Sequence, residues 1–307
     1  MTTEPELPRG IALAWGVAAS PQRGPKREMS VERIVEAAVE IADADGLSAV
    51  SMAAVAARLG YTPMSLYRYV SAKEDLILLM QEEATGLPSA ESRHAGGWRE
   101  QLEALYREQV QIYLRHPWVL DVAIRGIPST PHSAAWMDAG LQALADTPLT
   151  HDERLAVLLI VTGAARWSGI VLASYARLER ERGMAESEIA QYEDAMFRSL
   201  ITADAYPALR EAIDAGAFLD ESDPFAFGLE RSLDGVADYI EAVAEGRRPP
   251  RAPWQRLDDA EIADDKRYRE AQKGVRDAEK SLRDAHRMLR QTAREARERR
   301  ARQRGGN

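Results

Sequence analysis

The 307-residue sequence contains no cysteine. That excludes disulfides, thiolate catalysis and every zinc or iron–sulfur centre built on Cys, and it suits a reducing compartment. Short enzyme signatures are missing too: there is no Gly-x-Ser-x-Gly, no phosphate-cradling glycine-rich loop and no His-Glu-x-x-His. Histidine is scarce. His94, His116, His132, His151 and His286 are scattered, and no two stand three or four residues apart, so none pairs with another on a helix face to hold a metal. Each reads as a surface or capping group. Long apolar runs are lacking as well. Ile11 to Val17 is brief and contains Gly16, which does not make a signal sequence. Leu155 to Ala165 falls short of the roughly twenty residues that a bilayer requires. The expectation is a soluble cytoplasmic protein with no membrane partner, no cofactor, no metal and no catalytic residue.

Positive charge is in short supply overall, with 40 Lys+Arg against 49 Asp+Glu and a net charge of −9. It is also uneven. From Lys266 onward there are 15 basic and 6 acidic residues, a net of +9, which leaves −18 on the preceding 265. Net charge governs non-specific affinity for nucleic acid rather than specificity. An acidic body can therefore still bind DNA through a locally basic face.

The most informative stretch is Ser51 to Lys73. Met52, Val55, Ala56 and Leu59 share one face of a short helix that Gly60 ends. Thr62 is placed to cap a second helix, with Pro63 at its first position, where a missing N–H costs nothing. That helix buries little beyond Leu66 and Val70. Met64, Ser65, Tyr67, Arg68 and Tyr69 are left outward, so the helix exists for what it exposes. This is the pattern of a helix-turn-helix, whose second helix enters a major groove. Upstream, Ser30 caps a helix with the stripe Val31, Ile34, Val35, Ala38, Ile41 and Ala42, while Glu32, Glu36, Glu40 and Asp43 face solvent. Downstream, Ser71-Ala72-Lys73-Glu74 reads as a capping box opening a helix to about Gly86. Lys73 then sits in a first turn suited to phosphate.

Gly-Tyr-Thr-Pro-Met-Ser-Leu-Tyr-Arg-Tyr-Val (60–70), followed by Ser-Ala-Lys-Glu-Asp-Leu, resembles the recognition-helix signature of TetR-family transcriptional regulators. The resemblance covers Ser30 to Leu79. More loosely, His116-Pro117-Trp118 and Asp223-Pro224-Phe225 resemble landmarks of the tetracycline-repressor type of C-terminal domain in actinobacterial members. It implies an all-α homodimeric repressor, released from a palindromic operator by a small-molecule inducer. Carried over by position, Thr62, Pro63, Met64, Ser65 and Arg68 face bases, and Ser51, Tyr67, Tyr69 and Lys73 hold phosphates. Pro63, Met64 and Arg68 depart from the tetracycline repressor itself, which implies a different operator.

Residues 1–29 read as an irregular arm punctuated by prolines, with a short apolar turn at Ile11 to Trp15. Arg23, Lys26 and Arg27 are placed to enter a minor groove; a solvated terminus is the alternative. With 30–73 as the DNA-reading unit, 74–246 forms a ligand-binding and dimerisation body. Leu87 to Gly97 reads as a linker, and helices follow from Trp98 to His116, over Trp118 to Ile124 and over Ala134 to Ala145. Thr150-His151-Asp152-Glu153 is a second capping box, and the helix it opens is apolar nearly all round, which predicts a covering partner chain. Asp223-Pro224 opens the last body helix, where Gly228 and Gly235 permit close approach of another helix. Leu158 and Val236 are placed on the shared dimer bundle. Trp98, Tyr106, Tyr113, Trp118, Trp136, Met137, Arg166, Trp167 and Tyr175 are candidates to line an inducer pocket, although aromatic residues at helical spacing also make ordinary core. Arg166 interrupts an apolar helix and needs either a buried ion pair or an acidic ligand.

Residues 247–307 are a Pro-rich linker and a basic tail helix. Tyr268, Ala271, Val275, Ala278, Leu282, Ala285, Leu289, Thr292 and Ala296 make a thin coiled-coil-like seam. The alternatives from other classes are an interaction protein acting through this tail, or an enzyme using the body's pocket.

Overall fold

A computed structural model describes residues 7–17, 29–124, 129–220, 222–250, 262 and 265–304. The chain divides into two units, Met1–Arg248 and Pro249–Asn307. No strand occurs among the described residues. The first unit holds helices α1 (Arg9–Ala14), α2 (Val31–Asp45), α3 (Met52–Leu59), α4 (Pro63–Leu66), α5 (Lys73–Thr85) and α6 (Ala90–Arg93). It continues with α7 (Trp98–Arg115), α8 (Pro131–Ala143), α9 (His151–Arg182), α10 (Glu186–Leu200), α11 (Pro207–Asp214) and α12 (Pro224–Ala244). Short 3₁₀ turns occupy Leu47–Ala49 and Pro117–Asp121. The second unit contains α13 (Lys266–Arg304), one helix of 39 residues that includes the predicted seam.

Local chemistry explains most helix ends. The Ser30 hydroxyl accepts from the Arg33 N–H, and Gly46 closes α2 at φ 82°. Thr150 and Glu153 form the predicted reciprocal box at the start of α9, and Asp223 accepts from the N–H groups of Phe225 and Ala226. The box at Ser71 does not form. Ala72 occupies the N-cap of α5, and no side chain there bonds the first turn. The segment 87–97 holds the one-turn α6, capped by Ser89. Pro117–Asp121 is a 3₁₀ turn where a helix over Trp118 to Ile124 is predicted, and α8 starts three residues early because Pro131 takes its first position. Gly126 and Pro128 lie outside the described residues, as do Arg23, Lys26 and Arg27.

Two apolar cores form. The first gathers α2, α3, Leu66, Val70 and the inward face of α5, and it also takes in Trp118 and Val119 from the 3₁₀ turn. The second lies among α7, α8, α9 and α12, with Leu102, Leu105, Leu144, Val161 and Leu233 at its centre. Full burial of each such side chain contributes about 1.5–3 kcal/mol. Tyr113 packs against both cores. The apolar turn at Ile11 to Trp15 has become α1, which docks on α5: the Gly10 N–H donates to Asp75 Oδ1 at 2.9 Å. A Cβ at Gly10 would stand 2.7 Å from that oxygen, so only glycine allows this approach.

α9 is the helix around which the body is assembled. Val157, Leu158, Val161, Ala165, Gly169 and Ala173 turn inward. The apolar run resumes after Arg166, so α9 is long and apolar enough to cross a bilayer by length and composition, contrary to the reading of Leu155 to Ala165. Its packing in the second core makes it a bundle helix of this fold. The expectation of burial on all sides is also corrected within the chain, because Leu159 is 63% exposed and Trp167 61%. Leu158 faces α8 instead: its Cδ1 lies 2.4 Å from where a Cβ on Gly140 would be.

Gly169 marks the tightest contact of α9 with α7. An added Cβ would lie 2.7 Å from Tyr113 Cδ2 and 2.9 Å from its Cβ. A Gly→Ala change inside a helix ordinarily stabilises by up to about 1 kcal/mol. Here overpacking outweighs that gain, and Gly169→Ala should destabilise by about 1–2 kcal/mol in urea denaturation. A gain in stability would show that the two helices separate freely.

Candidate nucleic-acid interface and the joint behind it

α3 and α4 form the turn that the sequence predicts. The Ser51 hydroxyl accepts from the Ala54 N–H at 3.1 Å, which leaves its own proton to donate. Gly60 adopts the left-handed conformation, φ 77°, and the Tyr61 N–H closes the turn on Ala56 O at 2.8 Å. An exposed pair, Arg58 Nε to Glu40 Oε2 at 2.9 Å, ties α3 to α2; such pairs contribute about 1 kcal/mol at most. Thr62 holds the N-cap position of α4, but its hydroxyl meets the Ser65 hydroxyl at 2.9 Å rather than a backbone N–H.

α4 is a single turn anchored by Leu66, with Val70 buried just beyond it. Met64 is 72% exposed and Tyr67 47%, and Thr62, Pro63 and Arg68 are exposed as well. Ser65 and Tyr69 are half-buried, and Tyr69 packs against the first core. Lys73 is the first residue of α5, beside the free N–H groups of that helix. Ser51, Thr62 to Ser65, Tyr67, Arg68 and Lys73 thus belong to one local turn-helix-turn with donors and a guanidinium outward. The geometry can present hydrogen-bonding side chains to a groove and N–H groups to phosphate.

A set of contacts absent from the sequence reading ties this unit to the body. Asp43, predicted to face solvent, accepts from Trp118 Nε1 at 2.7 Å and stands 2.8 Å from His116 Nδ1. Trp118 is therefore a joint residue buried in the first core, against which Tyr113 also packs. Arg166 makes no ion pair among the described residues. Its Nη2 donates to the carbonyls of Leu120 at 2.7 Å and Val122 at 3.2 Å, holding the same 3₁₀ turn to α9. On α5, Glu82 Oε1 accepts from the His132 N–H at 2.5 Å, and Gly86 O accepts from Trp136 Nε1 at 3.0 Å. The Trp15 indole N–H reaches Ser129 O at 2.7 Å, so α1 bridges α5 and the start of α8. No local signal carries these links, because their partners stand 44 to 114 residues apart.

Of the pocket candidates, Trp98, Tyr106, Tyr113 and Trp136 share the second core. Gln109 lies on the same helix, buried, and its Oε1 has no hydrogen-bond partner among the described residues. Burial pushes the Tyr106 and Tyr113 hydroxyls up from their ordinary pKa, against the opposing effects of Ser168 and Arg166, so both phenols stay neutral. Met137 is half-buried on α8. Trp167 points away from the body's core, and Tyr175 bonds Glu193 of α10 at 2.9 Å, which raises its pKa.

Residues 34–80 match the family model described as bacterial regulatory proteins, tetR family, and residues 90–240 match the tetracyclin repressor-like C-terminal domain. The chain is 34% identical over 250 residues to the HTH-type transcriptional repressor DrrR1 of Streptomyces coeruleorubidus, covering 81% of this chain and 90% of that one. An HTH-type transcriptional repressor of Mycobacterium tuberculosis is 25% identical over 247 residues, covering 77% of this chain and 92% of its own length. Among solved structures, apo ActR from Streptomyces coelicolor superposes with a TM-score of 0.59 at 22% identity, covering 71% of this chain and 99% of ActR.

The joint makes a direct prediction. Asp43→Ala leaves the indole N–H of Trp118, a residue only 2% exposed, without its acceptor. The cost should be about 1–3 kcal/mol in chemical denaturation. Asp43→Asn keeps an oxygen acceptor and should recover most of it. Equal losses in the two variants would mean that the indole bond contributes nothing.

Proposed function

The chain belongs to the TetR family of helix-turn-helix transcriptional regulators, and on that footing we propose that it is a homodimeric repressor of a palindromic operator, relieved by a small-molecule inducer. The observation that carries the DNA-reading role is α4, a one-turn helix held by Leu66 with Met64, Tyr67 and Arg68 outward. Thr62, Pro63, Met64, Ser65 and Arg68 face bases; Ser51, Tyr67, Tyr69 and Lys73 hold phosphates; Arg23, Lys26 and Arg27 extend into the minor groove. The protein is cytoplasmic and is not an enzyme. Residues 30–73 read DNA, and 74–246 dimerise and bind the inducer.

The dimer face consists of the outward stripe of α9, Leu155, Leu159, Gly163, Trp167 and Ile170, together with Gly228 and Gly235 on α12. Two-fold symmetry then matches an operator with two half-sites about one helical turn apart. For the inducer, ActR offers the analogy, since that protein has been solved in complex with actinorhodin. Here the aromatic cluster of Trp98, Tyr106, Tyr113 and Trp136 with the unpartnered Gln109 oxygen suits a largely apolar ring system carrying a hydrogen-bond donor. A ligand that favours one position of α9 acts through Arg166 on the Pro117–Asp121 turn, and through Trp118 and Asp43 on α2. The operator-bound and ligand-bound arrangements are thus two states of one joint.

Titrations on operator and scrambled duplexes test the base-reading assignment. Arg68→Ala should lose about 1–3 kcal/mol on the operator and little on scrambled DNA. Lys73→Ala should weaken both alike and flatten the salt dependence. Equal losses on both duplexes for Arg68→Ala would remove Arg68 from base reading. The dimer face has its own test. Leu159→Arg with Gly235→Arg changes two exposed positions, so the helical content should persist while light scattering reports monomers. A folded double variant that remains dimeric would place the interface elsewhere.

A further inference from the structure

α13 carries its cations in one line. Lys266, Arg269, Lys273, Arg276, Lys280 and Arg283 follow one another at alternate spacings of three and four, and the register continues in sequence through Arg287, Arg290, Arg294 and Arg297. On a helix, that spacing makes one continuous stripe that turns by about 20° per heptad around the axis. At 1.5 Å per residue the line runs about 46 Å, longer than one turn of duplex DNA at about 34–36 Å. No acidic residue stands in the three-four register itself: Glu270, Asp277, Asp284, Glu295 and Glu298 each follow a stripe arginine by one position, Glu279 precedes Lys280, and Asp284 pairs with the stripe residue Arg287 at 3.4 Å. The stripe side chains from Arg269 to Arg287 are exposed.

We propose that this face of α13 is a sequence-independent binding site for the phosphate backbone of double-stranded DNA, which supplements operator reading by α4. The assignment rests on the DNA-binding role proposed above, which brings the chain to the duplex. Three observations favour DNA over the chain's own acidic surface. The stripe is continuous and regularly spaced, as is the phosphate array of a duplex. Seven of its ten cations are arginine, whose planar guanidinium pairs bidentately with phosphate. The remaining 265 residues carry a net −18, so a chain without this helix would meet DNA mainly through repulsion outside α4. The apolar seam beside the stripe, with Val275 at 58% exposure and Leu282 at 59%, is too thin to account for the regular placement of the charge.

Two full-length variants of equal charge test it. The first changes four stripe residues, Arg276→Gln, Lys280→Gln, Arg283→Gln and Arg287→Gln. The second changes four cations of α13 that lie off the stripe, Arg267→Gln, Arg299→Gln, Arg300→Gln and Arg302→Gln. Binding to a 40-base-pair scrambled duplex is followed by fluorescence anisotropy across a salt series. The stripe variant should bind at least about tenfold more weakly at low salt, with a log–log salt slope reduced by up to about 3.6, since each of the four phosphate contacts contributes about 0.9. The off-stripe variant should retain most of the affinity and slope. Equal losses in both variants would reduce the effect to net charge and overturn the site. An unchanged slope with a lower melting temperature in low salt would place the stripe on acidic protein, and also overturns it. Both variants should keep the wild-type ratio of operator to scrambled affinity. If the wild type itself shows no operator preference, the repressor reading fails while the comparison of the two variants still decides the stripe.

Discussion

The structure depends on the hydrogen bond that Trp118 donates to Asp43. It puts a body residue inside the core of the DNA-reading unit, where the indole is 2% exposed. A buried N–H without an acceptor costs as much as several ordinary surface contacts contribute. The 3₁₀ turn is therefore fixed to α2 at one end, and the two carbonyls at its other end are fixed to α9 by Arg166. A five-residue turn held at both ends cannot absorb a shift of α9 by itself. It must pass the displacement on or give up one of these bonds.

The other links run through α5. Glu82 and Gly86 near its end bond residues of α8, and Asp75 in its first turn bonds the backbone of α1. α1 in turn reaches Ser129 through Trp15. α5 is consequently braced along its length, and its N-terminus carries Lys73. In the proposed two-state mechanism, a shift of α5 would have to break or exchange these polar bonds.

The helix-turn-helix was legible because its determinants are local. Gly60 sits where a left-handed residue is needed, Pro63 occupies a first helical position, and Leu66 and Val70 are spaced to bury one face. The capping box at Thr150 was legible for the same reason. Ser71 shows the limit: the motif was present, yet α5 starts one residue later than a Ser71 cap requires, with Ala72 at the N-cap. Asp43 and Arg166 show a deeper limit. A carboxylate on a solvent-facing helix position and a cation within an apolar run each state a need for a partner, but not its identity. The partners are an indole and an imidazole for Asp43 and two backbone carbonyls for Arg166, none of them fixed by the local sequence. The same holds for Gly10, whose close approach to Asp75 spans 65 residues.

α9 combines two demands that compete for the same residues. Its inward face is packed so closely that neither Gly140 of α8, against Leu158, nor its own Gly169, against Tyr113 of α7, has room for a side chain. Its outward face keeps Leu159, Ile160, Trp167 and Ile170 at 40–63% exposure, an apolar stripe that a solvated single helix gains nothing by having. Gly163 lies in that stripe with open space around it, as do Gly228 and Gly235 on α12. Glycine within a helix costs about 1 kcal/mol relative to alanine, and in the packed face that cost is offset by helix approach inside the chain. On the outward face no described residue offsets it. Three such positions beside an uncovered apolar stripe are therefore accounted for by a second helix surface brought to the same distance, which is the physical argument for the two-fold partner. In the proposed dimer, the helix which holds Arg166, and through it the joint to α2, is the one that a partner chain holds in register.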